Sequence, residues 1–580
     1  MLAEHQIPPV NISKLIPVFL KGIPASSGIS ISKCITIEQE HSHNYEIRIT
    51  EDKIDSEIQK LIVSVENLNT DYNDVVKNSK HLSSVVIQII ESYQLILNDD
   101  IILNSIKSRI KSGFDAESSI SREFDSQKNL FLNSKDQLLK ERSVDLENVK
   151  NRLLSYLNQK SVDYSLAQDK IIVTQNLTPT DLLKYKEQGA LGIITEIGGI
   201  ASHVCILARS FEMPAIIGVK DAVKLIKHNS EVIIDGFTGL IIANPDTSTL
   251  KKYKKRIEEI EEHKLKLGSL VKVDSRTNDQ RVINLLANVD RLDDVKQALI
   301  NGAEGIGLAR TETLLSGLSK IPGEEIQYGW YREIADRIFP NMATIRCFDI
   351  GSDKFSYGIP IKENNPALGL RGIRYLLNNI EIFKTQIKAI LRASVNKNIK
   401  IMLPMISDIH ELRDSKKVIS ECMKELRDSG VSFDKSIKTG IMIETPAAVI
   451  MSELLAKESD FFSIGTNDLT QYVLAADRTN ELVTEVYDSF HPAVLRMIEM
   501  TIKSALKSKI PLSICGELAS HSAATQILIG LGVTELSVPP PLILELKNRI
   551  LNINYSQASH LAKKIIDLDN SNDILQILEN

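Results

Sequence analysis

The chain is poor in aromatic residues: phenylalanine, tyrosine and tryptophan make up 5% of its 580 residues, with a single tryptophan, Trp330. Its cores must therefore rest on Ile, Leu and Val. There are five cysteines, Cys34, Cys205, Cys347, Cys422 and Cys515, with no CxxC pair, which argues against a disulfide framework and for a reducing compartment. No proline lies between 25 and 178, so no proline interrupts a helix in that stretch. No apolar run approaches the ~18 residues of a membrane span, and the apolar run at 15–20 lacks the cationic start of a secretory signal. An excess of one charge is missing too. Lys and Arg (69) nearly balance Asp and Glu (75), for a net charge of −6, without the basic footprint of a nucleic-acid binder. The expectation is a cytoplasmic globular protein with no nucleic-acid partner and no membrane insertion.

At about 150 residues per domain, the length allows about four domain-sized units, or fewer if one is a large barrel. Residues 1–20 read as an N-terminal extension, and the fold is expected to begin near Gly22. From 50 to 164 the pattern is helical. Ile54, Ile58, Leu61, Ile62, Val65 and Leu68 recur at spacings of three and four, and Leu82, Val85, Val86, Ile89, Ile90 and Tyr93 do the same, which predicts a bundle of three or four amphipathic helices. Short β-branched runs at 170–174, 192–195, 215–218 and 231–235 predict a small α/β unit. Because a strand-like piece already enters near Gly22, that unit would comprise 21–49 and 165–245, with the bundle inserted into it. The charged run at 250–266 reads as a solvated linker helix within 246–268.

Beyond it, in 269–580, eight strand-like runs alternate with helical stretches: VINLLAN (282–288), GIGLAR (305–310), TIRCFD (344–349), KIMLPM (400–405), GIMIET (440–445), FFSIGT (461–466), LSICGE (512–517) and ELSVPP (535–540). Eight βα units in about 300 residues fit a (β/α)8 barrel of the TIM type. An open, doubly wound sheet is the alternative with the same strand content.

In a barrel the chemistry sits where the strands end, and these ends are polar. Arg310 closes the second run, with Glu312 just after. Arg346 lies in the third, followed by Asp349, Asp353 and Lys354. Glu444 closes the fifth, Asn467 and Asp468 the sixth, and Cys515 and Glu517 the seventh, while Arg371 and Arg478 fall in loops or helix starts at the same end. Four arginines with the carboxylates Glu444 and Asp468 predict a locally cationic mouth for a polyanionic substrate chelated through Mg²⁺ or Mn²⁺. Each arginine could instead simply pair with a neighbouring acid. Cys515 is either buried filler or an acid at the mouth.

His203 is the second focus. It follows a paired-glycine turn, Gly198-Gly199, and Ser202, a candidate N-cap for a helix over 204–210. A phosphoryl group on this imidazole would lie at a helix N-terminus, where anions are favoured. A structural loop histidine is the alternative.

The segment GGIASHVCILARSFEMPAIIG (198–218) resembles the phosphohistidine swivel of phosphoenolpyruvate-using enzymes. GAEGIGLARTE (302–312), IRCFDIGSDK (345–354), NPALGLRGIR (365–374), GIMIETPAA (440–448), DFFSIGTNDLTQY (460–472) and SICGELA (513–519) resemble their phosphoenolpyruvate-binding barrel. Over about residues 22–575 the chain is similar to the Enzyme I family of the sugar phosphotransferase system. That resemblance implies a phosphohistidine at His203, phosphate binding by Arg310 and Arg346, substrate contacts by Arg478 and Asn467, Mg²⁺ ligation by Glu444 and Asp468, and protonation of the enolate by Cys515. It also implies that the bundle docks the carrier protein HPr and that the barrel forms a homodimer.

The dikinases and synthases that share swivel and barrel need a large nucleotide-binding domain, for which the bundle is too short. The sequence departs from the family in four places. Ile200 and Ala201 replace a basic residue and a threonine, Cys347 a threonine, Ser352 a glycine, and Ser520-His521 a Gly-Asp pair. The swivel changes leave open a nitrogen-type regulatory phosphorelay, although the sensory domain usual for that type is absent.

Overall fold

The computed structural model describes residues 17–37, 47–78, 84–133, 137–158, 163–199, 202–315, 321–351, 363, 365–478 and 480–579. It divides into two compact units, residues 1–260 and 261–580. The division falls inside the helix over the charged run. Among the described residues, no helix is long and apolar enough to cross a membrane.

In the first unit the strands are β1 (Val18–Lys21), β2 (Ile23–Ser26), β3 (Ile29–Ile37), β4 (Ile171–Thr174), β5 (Gly192–Thr195), β6 (Ala215–Ile217), β7 (Glu231–Asp235) and β8 (Leu240–Ala243). They form one sheet in the order β1-β8-β7-β3-β4-β5-β6-β2. β3, β4, β5 and β6 run parallel, and antiparallel strands flank them. β1 corrects the expected start of the fold. Val18 pairs with Ala243 and Lys21 with Leu240, so the sheet already begins four residues before Gly22, inside the stretch read as an extension. The strands alternate as period two demands: Ile171 and Val173 pack into one core, and Ile172 faces the other.

The chain leaves β3 and returns through β4, its parallel neighbour. Among the described residues between them lie five α-helices, α1 (Ile54–Asn78), α2 (Ser84–Leu97), α3 (Asp100–Lys111), α4 (Ala116–Leu132) and α5 (Gln137–Leu157), rather than three or four. Short polar breaks capped by Asp99 and Asp115 divide what the apolar stripes alone leave continuous. Leu61, Leu68, Tyr72, Ile90 and Tyr93 are buried. They share one core with Ile172, Ile193 and Ile217 of the sheet. The side chains of Leu82, Val85 and Val86 lie outside the described residues.

A partly buried ionic cluster around the buried Arg152 joins the bundle to a helix of the α/β unit. Arg152 of α5 gives Nη2 to Asp71 of α1 at 3.1 Å and Nη1 to Asp181 at 2.9 Å. Asp181 lies on α6 (Pro179–Glu187), and Lys184 pairs with Asp71 from the same helix. Removing one member of such a set strands the others in a low-dielectric site. Arg152→Met is therefore expected to destabilise the chain by about 3–5 kcal/mol, read as a fall in the thermal midpoint of the first unfolding transition. An unchanged midpoint would show that the cluster contributes nothing net.

Three further helices complete this unit: α7 (His203–Ser210), α8 (Ala222–Leu225) and the start of α9 (Thr247–Ser269).

In the second unit, β9 (Asn284–Val289), β10 (Ile306–Ala309), β11 (Ala343–Arg346), β12 (Ile399–Leu403), β13 (Lys438–Ile443), β14 (Phe462–Ile464), β15 (Leu512–Ile514) and β16 (Glu535–Val538) close into a parallel barrel. Closure settles the choice between barrel and open sheet, because β16 pairs with β9 over Glu535–Val538. Each strand sends one set of side chains outward to the helices and the other into the barrel. Ile441 and Ile443 join the large outer core, and Met442 the small inner one with Leu308, Met402, Phe461 and Cys515. The same alternation sets Ser463 inward between Phe462 and Ile464, and Ser513 and Cys515 inward on either side of Ile514.

Candidate active site

The inward phase of each strand carries past its last residue, and this is how the barrel assembles its mouth. On β13 the inward positions are Met442 and then Glu444. On β11 they are Thr344 and Arg346. Both Glu444 and Arg346 are buried, at 0% and 6% exposure.

Arg346 gives Nη2 to Glu312 Oε1 at 3.0 Å and lies 3.6 Å from Asp349 Oδ2. Its Nε is buried without a hydrogen-bond partner. Arg371 binds Asp349 Oδ2 at 2.7 Å, gives Nη1 to the Tyr472 hydroxyl at 3.1 Å and approaches Asp468 Oδ1 at 3.7 Å. Arg310 is half-exposed and reaches Asp290 Oδ1 at 3.2 Å. Three arginines thus meet four carboxylates, Asp290, Glu312, Asp349 and Asp468, and the expected cationic mouth is corrected. The strand-end acids that sequence reasoning set apart as metal ligands or passed over neutralise the arginines.

Two carboxylate oxygens are left over. Glu444 Oε1 accepts from the Met405 amide at 2.6 Å, but Glu444 Oε2 and Asp468 Oδ1 are buried with no hydrogen-bond donor. Burial, reinforced by the Asp468 and Asp349 carboxylates, pushes the Glu444 carboxyl up to about 8, against the opposing pull of Arg346. A Cβ on Gly465 would stand 2.8 Å from Glu444 Oε2, so the glycine keeps that oxygen open. Glu444 Oε2 has no donor and Asp468 Oδ1 only the Arg371 guanidinium at 3.7 Å, and two such carboxylates would suit a hard divalent cation. Among the described residues, no group of three or more His, Cys, Asp and Glu side chains forms a cage by itself.

Asn467 and Asp468 stand in the first turn of the helix Thr466–Leu474 rather than at a strand end. Asn467 is tied to the next loop, giving Nδ2 to Glu517 Oε1 at 3.0 Å and accepting from the Glu517 amide at 2.8 Å. Gly516 lies against this turn so closely that a Cβ there would be 1.9 Å from Thr466 Oγ1. Arg478 follows the same helix on an exposed stretch, its amide bonded to Gln471 Oε1 at 3.2 Å.

Cys515 is 3% exposed. Burial pushes its thiol up, and a hydrogen bond from Ser463 works the other way. A thiol that stays protonated at neutral pH can act as an acid rather than as a nucleophile.

Sequence reasoning passes over Asp290, Tyr472, Thr466 and Ser463. Asp290 had a signal, since it follows β9 as Arg310 follows β10. Ser463 had none, because it sits inside a run read only as apolar strand. Asp353, Lys354 and Ser352 lie outside the described residues.

In the first unit Ser202 caps α7, its Oγ accepting from the Cys205 amide at 3.4 Å and lying 3.2 Å from Cys205 Sγ. The Ser202 amide bonds Gly199 O at 2.9 Å. Gly198, at φ 152°, supplies the turn before it. His203 is the first residue of the helix. Its side chain, and Ile200 and Ala201, lie outside the described residues.

The sequence matches three family descriptions in chain order: PEP-utilising enzyme, N-terminal, over 21–142; PEP-utilising enzyme, mobile domain, over 166–239; and PEP-utilising enzyme, PEP-binding domain, over 264–555. A phosphoenolpyruvate-protein phosphotransferase of Priestia megaterium is 35% identical over 566 residues, 97% of this chain and 98% of that protein. One from Haemophilus influenzae is 35% identical over 568 residues, with the same coverage of both. A solution structure of an Enzyme I protein, 30% identical, covers 42% of this chain and 99% of its own at a TM-score of 0.37. The barrel with its acid and arginine mouth, and the α/β unit with its capped histidine turn, are those of a phosphoenolpyruvate-utilising enzyme. Within that class the chain belongs to the phosphoenolpyruvate-protein phosphotransferase family.

Proposed function

We propose that the barrel mouth binds phosphoenolpyruvate with Mg²⁺, that His203 takes the phosphoryl group, and that the phosphohistidine passes it to HPr, the carrier of the sugar phosphotransferase system. The observation that supports this reading best is the pair of buried carboxylate oxygens, Glu444 Oε2 and Asp468 Oδ1, that lack a hydrogen bond at the barrel mouth where Arg346 and Arg371 also lie. Glu444 and Asp468 would hold Mg²⁺, which would supply charge compensation for the anionic substrate.

The chain's own residues do the rest. Arg310 and Arg346 take the phosphate, and the free Nε of Arg346 gains an acceptor in doing so. Arg371 and its Asp349 partner hold the loop behind them, while Asn467 and Arg478 contact the substrate. In the transfer, the His203 nitrogen forms a bond to phosphorus as the bond to the enol oxygen breaks. The enolate left behind takes a proton at its terminal carbon from Cys515 and becomes pyruvate. At α7, Ser202 and the helix N-terminus favour the anionic phosphohistidine.

In this reading the bundle α1–α5 docks HPr, the barrel forms a homodimer, and the protein works in the cytoplasm. The nitrogen-type alternative is not favoured: the Priestia and Haemophilus relatives that match over 98% of their own length are named phosphoenolpyruvate-protein phosphotransferases. The test is to mix the protein with phosphoenolpyruvate, Mg²⁺ and purified HPr and to measure phospho-HPr and pyruvate. Both should form in equal amounts, catalytically. Transfer to a nitrogen-type carrier alone would overturn the sugar-system assignment.

A further inference from the structure

Beneath the mouth, the barrel holds an aligned set of hydroxyls that the proposed chemistry has not used. Ser463 on β14 and Ser513 on β15 are register partners, and both are buried, at 0% and 5% exposure. Ser513 gives its hydroxyl to Ser463 Oγ at 3.0 Å, and Ser463 gives its own to Cys515 Sγ at 3.3 Å. The thiol proton is directed to Ile464 O at 3.5 Å. From the other side, Asn288 Nδ2 holds Cys515 O at 3.0 Å, and Ser537 fixes Asn288 by donating to its Oδ1 at 2.7 Å. The sulfur therefore has one donor aimed at it, and that donor's own acceptor site is already filled. A lone structural cysteine needs no such arrangement. Thiols in barrel interiors commonly behave as small apolar groups, and the other inner-layer neighbours, Leu308, Met402, Met442 and Phe461, are apolar.

We propose that Ser463, oriented by Ser513, is a positioning residue for the acid Cys515: it fixes the rotamer of the thiol and supports the thiolate that remains after proton transfer. This rests on the assignment of Cys515 as the proton donor. In that step the enolate's terminal carbon forms a C–H bond, the S–H bond breaks with its electron pair staying on sulfur, and the enolate oxygen becomes the ketone oxygen of pyruvate. Negative charge appears on Sγ in a site that otherwise disfavours it. A hydroxyl already pointed at that atom meets the charge without reorganising. In the reverse direction the same contact steadies the thiolate as the base.

The test separates protonation from phosphoryl transfer in the full-length protein. One measurement is deuterium uptake from deuterium oxide into the methyl group of excess pyruvate, with Mg²⁺ and phosphoenolpyruvate present. The other is phosphorylation of His203 by labelled phosphoenolpyruvate. Ser463→Ala is expected to lower the uptake about 10-fold or more, as for loss of one hydrogen bond to a charged group. KM for phosphoenolpyruvate and the extent of His203 labelling should stay within a factor of two or so of wild type. Ser513→Ala should act in the same direction with a smaller loss, and Ser463→Ala should add little in a Cys515→Ala background. Unchanged uptake in Ser463→Ala overturns the proposal. So does an equal loss of uptake and labelling, which is the signature of damaged structure. If Cys515→Ala itself keeps wild-type uptake, the assignment of the acid has failed and the role of Ser463 falls with it.

Discussion

Replacing Glu444 with alanine is expected to abolish both phosphorylation of His203 and release of pyruvate, with a loss of about a thousandfold or more. Glu444 is fully buried, one oxygen spent on the Met405 amide and the other open towards Asp468. Without it the mouth keeps its arginines but loses one of two carboxylates for the divalent ion, and Arg346 loses a buried counter-charge. Glu444→Gln isolates the charge, since it keeps the volume and can still accept from Met405. It should fail nearly as badly. The measurement is incorporation of label from phosphoenolpyruvate as a function of Mg²⁺, where saturation should be lost in both variants. Saturation at the wild-type Mg²⁺ concentration in Glu444→Ala would remove the residue from the metal site.

Cys515→Ala should behave differently. Phosphoryl transfer to His203 requires only that the enolate leave, so labelling should survive within a few-fold. Enzyme-catalysed exchange at the methyl group of pyruvate should fall about 10²–10⁴-fold, the usual range for losing a positioned acid. The thiol suits this task because burial keeps it protonated and because the backbone around it is pinned by Asn288 and Ile464. Equal loss of labelling and exchange would show that the sulfur matters to the shape of the mouth rather than to the proton.

These two variants also mark what the sequence makes visible. Glu444, Arg346 and Cys515 stand out in the sequence as candidates because they lie at the ends of β-branched runs that are easy to read, and the structure places them at or just beyond strand ends. All eight runs became strands, within a few residues at each end. Closure is expected from the count of eight units and not from the runs themselves, because a run of Ile and Val looks the same in an open sheet and in a barrel. The helix count in the bundle was missed because Asp99 and Asp115 start new helices without interrupting the apolar stripe. β1 was missed because four residues flanking a proline carry no period.

Pairing was the least legible property. Nothing in the spacing of Arg310, Arg346 and Arg371 says that Asp290, Glu312 and Asp349 will neutralise them, since partners in a barrel come from strands far apart in sequence. The positive character of the mouth therefore depends on what the two open carboxylates hold, a dependence that no count of arginines reveals.

The central claim is that His203 carries the phosphoryl group, and labelling with ³²P-phosphoenolpyruvate and Mg²⁺ tests it most directly. The wild-type protein should take up close to one label per chain, labile in acid and stable in base as a phosphoramidate is, and His203→Ala should take up none. An equal label on His203→Ala, or a wild-type protein that stays unlabelled, would contradict it.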